Sequence, residues 1–170
     1  MPILVEIVPY DPNWPRHFRD AEAVLRKLLG STVMAIDHVG STAIPHMPAK
    51  PIIDIDITLS SLSAVPSASL CLVDAGYEAR GNRYDDNVWA FLLKSSVPKL
   101  RVYLCPPQNR THEQRLMFRD YLRQHDDVAQ AYSNLKERLA ERFPYDGDRY
   151  TSEKSEFVQE IVGRALGQLR

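Results

Sequence analysis

The segment Asp37-His38-Val39-Gly40-Ser41-Thr42-Ala43-Ile44-Pro45-His46-Met47-Pro48-Ala49-Lys50-Pro51-Ile52-Ile53-Asp54-Ile55-Asp56-Ile57 puts two carboxylates, one residue apart, in an otherwise apolar run just beyond a Gly-Ser turn. From Ile52 to Leu59, Ile53, Ile55, Ile57 and Leu59 alternate with Asp54, Asp56 and Thr58. That is the period of a sheet, so both aspartates project from one face. Like charges at this spacing resist joint ionisation unless something positive lies between them. Magnesium would serve: it prefers oxygen ligands at about 2.0–2.1 Å and keeps some water, so Asp54, Asp56 and substrate phosphate oxygens would complete its octahedron. The turn supplies the other half. Gly40 lets backbone approach closely, Ser41 and Thr42 offer hydroxyl and N–H groups, and a helical turn starting there would aim its positive end at a phosphate. Together these features describe metal-assisted phosphoryl or nucleotidyl transfer. The plainer alternative is an amphipathic strand with a solvent face and an ordinary turn, since Asp-x-Asp alone is a weak signal.

Working outward, residues 3–8 read as a short β-run ending at Pro9-Tyr10-Asp11-Pro12. Asn13 is placed to cap a helix with Pro15 in its first turn; Phe18, Ala21, Leu25, Leu28 and Leu29 recur at helical spacing, and Gly30 ends it. Residues 33–39 alternate loosely into Gly40, and prolines 45, 48 and 51 leave room for only a short helical turn. Residues 66–75 read as a helix closed by Gly76, followed by β-runs over 77–84, 88–93 and 100–104 in a mixed or antiparallel sheet. From Glu113 onward the chain is helical: Leu116, Tyr121, Leu122, Val128, Tyr132, Leu135, Leu139 and Phe143 lie on apolar stripes, as do Phe157, Ile161, Ala165 and Leu169. Residues 144–148 break this run, and Thr151 is placed to cap the final helix with Glu153 in its first turn.

The 170 residues, 44% of them hydrophobic, suffice for one domain with a proper core. The formal net charge of −1, from 21 basic and 22 acidic residues, gives no whole-molecule field for nucleic acid or anionic membrane, and no basic stripe or exposed aromatic ladder suggests nucleic-acid binding. Any anion site must be local. Cys71 and Cys105 sit among leucines without zinc spacing and read as packed thiols of a reducing compartment. No signal-like start or membrane-length apolar run is present, so the expectation is a soluble cytoplasmic chain.

The order Gly-Ser, short turn, strand with Asp-x-Asp over residues 33–59 resembles the DNA polymerase beta-like nucleotidyltransferase superfamily. A second resemblance spans nearly the whole chain. Val8-Pro9-Tyr10-Asp11-Pro12-Asn13-Trp14-Pro15, the block from His38 to Pro45, Lys50-Pro51-Ile52-Ile53-Asp54-Ile55, Phe118-Arg119-Asp120-Tyr121-Leu122-Arg123 and Tyr150-Thr151-Ser152-Glu153-Lys154 look like the GrpB-like family. That family is similar in fold to the nucleotidyltransferases and also occurs fused behind dephospho-CoA kinase. The resemblance implies an α/β (α+β) fold, a mixed sheet flanked by helices with a C-terminal helical layer. It also implies a magnesium-dependent nucleotidyltransferase, or a protein binding a nucleotide or phosphate ester. The alternative is a catalytically degenerate module binding a protein or metabolite partner.

On this reading Asp54 and Asp56 are the catalytic and metal-binding pair, and Gly40, Ser41, Thr42, Lys50 and Arg101 meet phosphate. His38, Lys99, Arg119, Lys136 and Lys154 line the site. The chain departs from the pattern on the later strand, where nucleotidyltransferases carry a third carboxylate and the GrpB-like pattern a His-x-His pair; here Lys99 and Arg101 stand. A guanidinium facing the aspartates would neutralise them without metal and grip phosphate. His46 stands where the family tends to have glycine. Asp85 and Asp86 are the nearby acids, although beside Asn87 they read as a turn. Lys50 is equally a solvated loop lysine, His38 a hydrogen-bonded structural residue, and the charges at Arg119, Asp120, Arg123, Lys136 and Lys154 helix-surface ion pairs. Trp14, Trp89, Tyr132 and Phe157 fall on apolar periods and read as core.

Overall fold

The computed structural model describes residues 3–168. The alternation that opens the sequence reading forms a strand, β2 (Ile52–Leu59), in which Ile53, Ile55, Ile57 and Leu59 are fully buried. Burying each such side chain contributes roughly 1.5–3 kcal/mol, so one face of β2 is committed to the core and its register is fixed. The sheet also contains β1 (Val33–Val39), β3 (Glu78–Gly81), β4 (Trp89–Leu93) and β5 (Lys99–Cys105), in the order β1-β2-β5-β4-β3. β2 runs parallel to β5 and antiparallel to β1, while β4 is antiparallel to both β5 and β3. This mixed sheet sets the chemistry of the polar face: Asp54 is beside Arg101, Asp56 beside Tyr103, and Asp56 opposite Asp37 of β1.

Helices α1 (Trp14–Leu29) and α2 (Val65–Asp74) cover the apolar face, with Leu25, Leu29, Val65 and Leu72 packed among the β2 isoleucines, Val102 and Leu104. Pro15 sits in the first turn of α1 and Gly30 ends it at φ 61°. Asn13 precedes the helix without a side-chain capping bond; Asp11 organises this entry by accepting from the Asn13 backbone N–H at 2.8 Å. The C-terminal layer comprises α3 (Arg110–Gln124), α4 (Asp126–Arg142), α5 (Gly147–Ser152) and α6 (Ser155–Gln168). Their apolar stripes close on one another and on the loop after β1, where Ile44 and Met47 pack with Tyr121, Leu122, Tyr132 and Ile161. The layer is thereby anchored to the Gly-Ser turn.

Some local expectations are corrected. Residues 3–8 form no strand; Val8 makes an isolated bridge to Ala49, and Val5 N–H donates to Pro144 O. Prolines 48 and 51 flank Ala49, and their missing N–H groups prevent the bridge from growing into a ladder. The run over 77–84 shortens to β3, because a register shift between Ala79 and Gly81 and the left-handed Gly81, φ 75°, end the pairing. Thr151 does not cap the final helix. It lies within α5, where its Oγ1 donates to Gly147 O and Asp146 accepts from Arg149 N–H as the cap; α6 starts at Ser155. Leu169 lies outside the described residues. Cys71 and Cys105 are free thiols, the first half-buried and the second buried, and Trp14 and Tyr132 are buried as expected. No helix of the described residues is long and apolar enough to cross a membrane.

Candidate functional site: an aspartate pair held by arginines beside a basic pocket

The repulsion expected between Asp54 and Asp56 is relieved by giving each carboxylate its own cation. Asp56 has no exposed surface; Arg115 Nη1 donates to its Oδ1 at 2.7 Å and His112 Nδ1 to its Oδ2 at 2.8 Å. Arg115 also lies over the Tyr103 ring, 4.1 Å from its centroid, and His112 Nε2 is 3.5 Å from Asp37 Oδ2. Arg101 Nη1 is 3.5 Å from Asp54 Oδ1, an ion pair without a hydrogen bond. Arg101 therefore faces Asp54, as the strand pattern suggested, while Asp56 is held from α3. Asp54 keeps 22% of its side-chain surface exposed, yet Oδ1 is shielded and has no hydrogen-bond partner. Burial raises its pKa, with Arg101 and Arg115 acting against that shift.

Asp56, Cys105 and His112, all buried, bring one potential ligand atom each within 4.8 Å of one another. Burial and then the Asp56 charge push the Cys105 thiol far up, so it is held as a thiol. Asp86 is committed elsewhere: its carboxylate accepts from Thr111 Oγ1 and Val88 N–H, and its carbonyl accepts from Asn109, the cap of α3. Asp85, at φ 52°, lies in the bend that follows the Arg83–Tyr84 turn between β3 and β4. The turn reading of this acid pair holds.

Gly40 is placed behind Asp54. Its backbone, φ 74° and ψ −175°, lies in a region essentially reserved for glycine, and a Cβ there would stand 2.7 Å from Asp54 Oδ2. Gly40→Ala should cost about 1–3 kcal/mol from backbone strain and displace the Asp54 carboxylate. Urea unfolding with a structure of the variant checks both; an unmoved Asp54 with wild-type stability would contradict the prediction. The turn that follows, Ser41–Ala43, is a single 3-10 turn closed by Ala43 and Ile44 N–H groups. It is too short to carry the helix dipole that the sequence reading assigned to it.

Positive charge comes instead from side chains. Ser41, Thr42, Lys50, Asp54, Arg101, Lys136 and Lys154 line a cavity of about 120 Å³, with Tyr150 in its wall. Lys50 and Lys154 ammonium groups lie 4.4 and 4.3 Å from the Tyr150 ring centroid. Lys136 is 2% exposed, donates to Pro48 O and sits 5.2 Å from the Tyr132 ring. Burial, then the Lys154 charge, lowers its pKa to about 7. Burial, then Lys50, lowers Lys154 to about 8, and burial followed by Arg101 lowers Lys50. Neither Lys136 nor Lys154 is a helix-surface ion-pair residue: the first is buried in α4, and the second lies between α5 and α6.

Lys99 is exposed at the start of β5, two residues before Arg101 and outside this cavity. His38 and Arg119 belong to a neighbouring cavity. The His38 ring stacks on Phe18 and pairs through Nε2 with Thr42 Oγ1 at 2.9 Å; burial, then Arg123 and Arg119, lowers its pKa to about 4, so it is a neutral, hydrogen-bonded residue near neutral pH. His112, Arg115, Tyr103 and Tyr150 were missed from sequence. A signal exists for the first two: His112, Arg115, Arg119 and Arg123 recur at three and four along α3, a polar stripe aimed at the sheet.

The chain is 35% identical over 173 residues to the UPF0157 protein PA4798 of Pseudomonas aeruginosa, covering 98% of this chain and 69% of that protein. It is also 30% identical to the dephospho-CoA kinase of Mycolicibacterium paratuberculosis, where 95% of the chain matches only 46% of the kinase. Among solved structures, the conserved protein GrpB from Enterococcus faecalis superposes with TM-score 0.86 at 26% identity over 96% of this chain and 99% of that one. The Cid1 poly(U) polymerase bound to MgATP superposes with TM-score 0.57 at 14% identity, over 80% of this chain and 45% of that chain, a likeness of fold to the nucleotidyltransferases. The sequence profile described as GrpB protein matches residues 4–164, and with it the chain belongs to the GrpB family.

Proposed function

We propose that this protein binds a nucleotide or another phosphate ester through its phosphates, in the cavity between the Gly40–Ser41 turn and the C-terminal helices. In this reading its own cations neutralise the bound charge. The observation that carries it is the convergence of Lys50, Arg101, Lys136 and Lys154 with Ser41 on one small cavity whose lining acid is Asp54. Clustered cations without matching carboxylates call for an anion, and burial makes each interaction with it stronger. The nucleotidyltransferase-like fold, shared with a polymerase solved with MgATP, supports a nucleotide as the phosphate carrier.

Magnesium, implied by the sequence resemblance, meets a poor donor set in this arrangement. Both Asp56 oxygens are engaged by Arg115 and His112, and Asp54 Oδ1 is flanked by Arg101. A two-carboxylate magnesium site would require Arg115 to release Asp56 Oδ1 or His112 to release Oδ2, so no step of the proposal passes through the metal. Magnesium-dependent nucleotidyl transfer to a small hydroxyl or amine is the second reading, favoured by Asp54 Oδ1, a buried carboxylate oxygen without a hydrogen-bond partner.

Calorimetric titration with ATP and with tripolyphosphate, in magnesium and in chelator, separates these readings. Binding is expected to survive chelation, to tighten by about 2–10-fold in Asp54→Asn as a like charge is removed, and to weaken in Lys154→Gln. Binding that needs magnesium and is lost in Asp54→Asn would establish the metal-dependent reading instead. Absence of binding to either polyanion would leave a module for a protein or metabolite partner.

A further inference from the structure

On the other side of the same turn lies a larger cavity of about 370 Å³, within the size range of small-molecule sites. Thr42 lines both cavities, so the Ser41–Ala43 turn is the wall between them. We propose that this second cavity is a distinct binding site for an anionic, ring-bearing small molecule of nucleoside monophosphate size. The geometry has two halves. Arg19 of α1 and Arg119 and Arg123 of α3 bring three guanidiniums to the lining, against one lining carboxylate, Asp37. Tyr10, Phe18 and His38 supply flat walls, with Phe18 and His38 stacked at 4.8 Å and nearly parallel.

The two α3 arginines are held in place by the backbone. Arg119 Nη1 donates to His38 O at 3.0 Å and its Nε to Asp120 Oδ1 at 2.7 Å; Arg123 Nε donates to Ala43 O at 2.9 Å. Each guanidinium carries five N–H donors in a planar fork, so further donors remain for a phosphate or carboxylate. Asp120 is shared between them, 3.8 Å from Arg123 Nη1, and leaves the pair short of counter-charge. Arg19 is exposed at the rim. A planar ring stacks on the aromatic walls while its anionic group meets the guanidiniums, a division of labour that a bare phosphate cannot use. His38, neutral near pH 7, adds no charge of its own and serves as a wall and a hydrogen-bonding edge.

This site stands without the nucleotide reading of the smaller cavity. An occupant here lies across the turn from a phosphate held in the smaller cavity only if that reading holds. Titration of the protein with AMP, CMP and inorganic phosphate, in wild type, Arg19→Gln, Arg123→Gln and Lys154→Gln, tests it. A nucleoside monophosphate should show a binding component that weakens roughly tenfold in Arg19→Gln and in Arg123→Gln and that persists in Lys154→Gln, where phosphate binding in the smaller cavity is the part that weakens. Arg19→Gln alters an exposed position, so the test survives if Arg123→Gln disturbs the turn. Tripolyphosphate binding should be indifferent to Arg19→Gln, which keeps the two cavities' failures separate. The proposal is overturned by absence of saturable AMP and CMP binding, by binding that follows Lys154 rather than Arg19, or by inorganic phosphate binding as tightly as the nucleotides.

Discussion

Arg115→Met is expected to destabilise the fold by about 3–5 kcal/mol, because it leaves the fully buried Asp56 carboxylate without its principal counter-ion. The two partners are not equivalent. Arg115 keeps 27% of its side chain exposed, whereas Asp56 keeps none. Asp56→Asn should therefore cost less, about 1–3 kcal/mol, since the freed guanidinium has a path to water and the amide can still accept from it. The double variant should recover much of the loss of Arg115→Met, as removing both charges avoids an uncompensated one. Urea unfolding of the three proteins measures this directly; an Arg115→Met protein within about 1 kcal/mol of wild type would show that His112 alone suffices for Asp56. The same series bears on metal binding. With Arg115 gone, Asp56 Oδ1 loses its donor beside Asp54, so magnesium should raise the midpoint of Arg115→Met and leave wild type unchanged. Equal magnesium stabilisation of both would mean that Arg115 does not compete with the cation.

The buried charges explain what could and could not be read from the chain. β2 was legible because four isoleucine and leucine positions alternate without interruption, and its two faces could be assigned from period alone. Gly40 was legible as a point of close approach, although not that the group approached is Asp54 itself. Pro15 and Gly30 bracket α1 in the sequence as they do in the structure. The first segment was not legible, since residues 3–8 have a strand's composition but their neighbour is the proline-flanked Ala49. Partners of Asp56 were beyond local reading for a different reason: His112 and Arg115 are 56 and 59 residues away, and only tertiary packing of α3 brings them in. Lys136, which the family resemblance placed in the site lining, shows the same limit when read from its own helix alone. Lysine is among the residues least often buried, so a lysine on an amphipathic helix reads as surface; here the cavity and the Pro48 carbonyl accommodate its ammonium group.

Phosphate affinity should fall about 10–100-fold as pH rises from 7 to 9, because two of the four cations in the small cavity titrate in that window. Lys136 has its pKa lowered to about 7, by burial first and then Lys154, with Glu137 opposing; Lys154 is lowered to about 8, by burial first and then Lys50, with Asp54 opposing and Arg101 reinforcing. A polyanion favours the ammonium form of both, so affinity is greatest where they are protonated and declines by up to about tenfold per unit for each group linked. A phosphate monoester is largely past its second ionisation near about 6, and any later ionisation of a polyphosphate adds negative charge that would tighten binding, so a fall in affinity belongs to the protein. Calorimetry with tripolyphosphate in buffers of different ionisation enthalpy should register proton uptake on binding, and Lys136→Met should flatten the profile. The unliganded fold should move the opposite way. Both folded-state values lie below the ordinary lysine value of 10.5, so between about pH 7 and 10 the unfolded chain holds more protons and stability rises with pH. Affinity and stability thus diverge with pH because both respond to the same crowding of cations, which an anion relieves in one case and deprotonation in the other. A pH-independent affinity would remove Lys136 and Lys154 from the phosphate site and leave Arg101 and Lys50 to hold it.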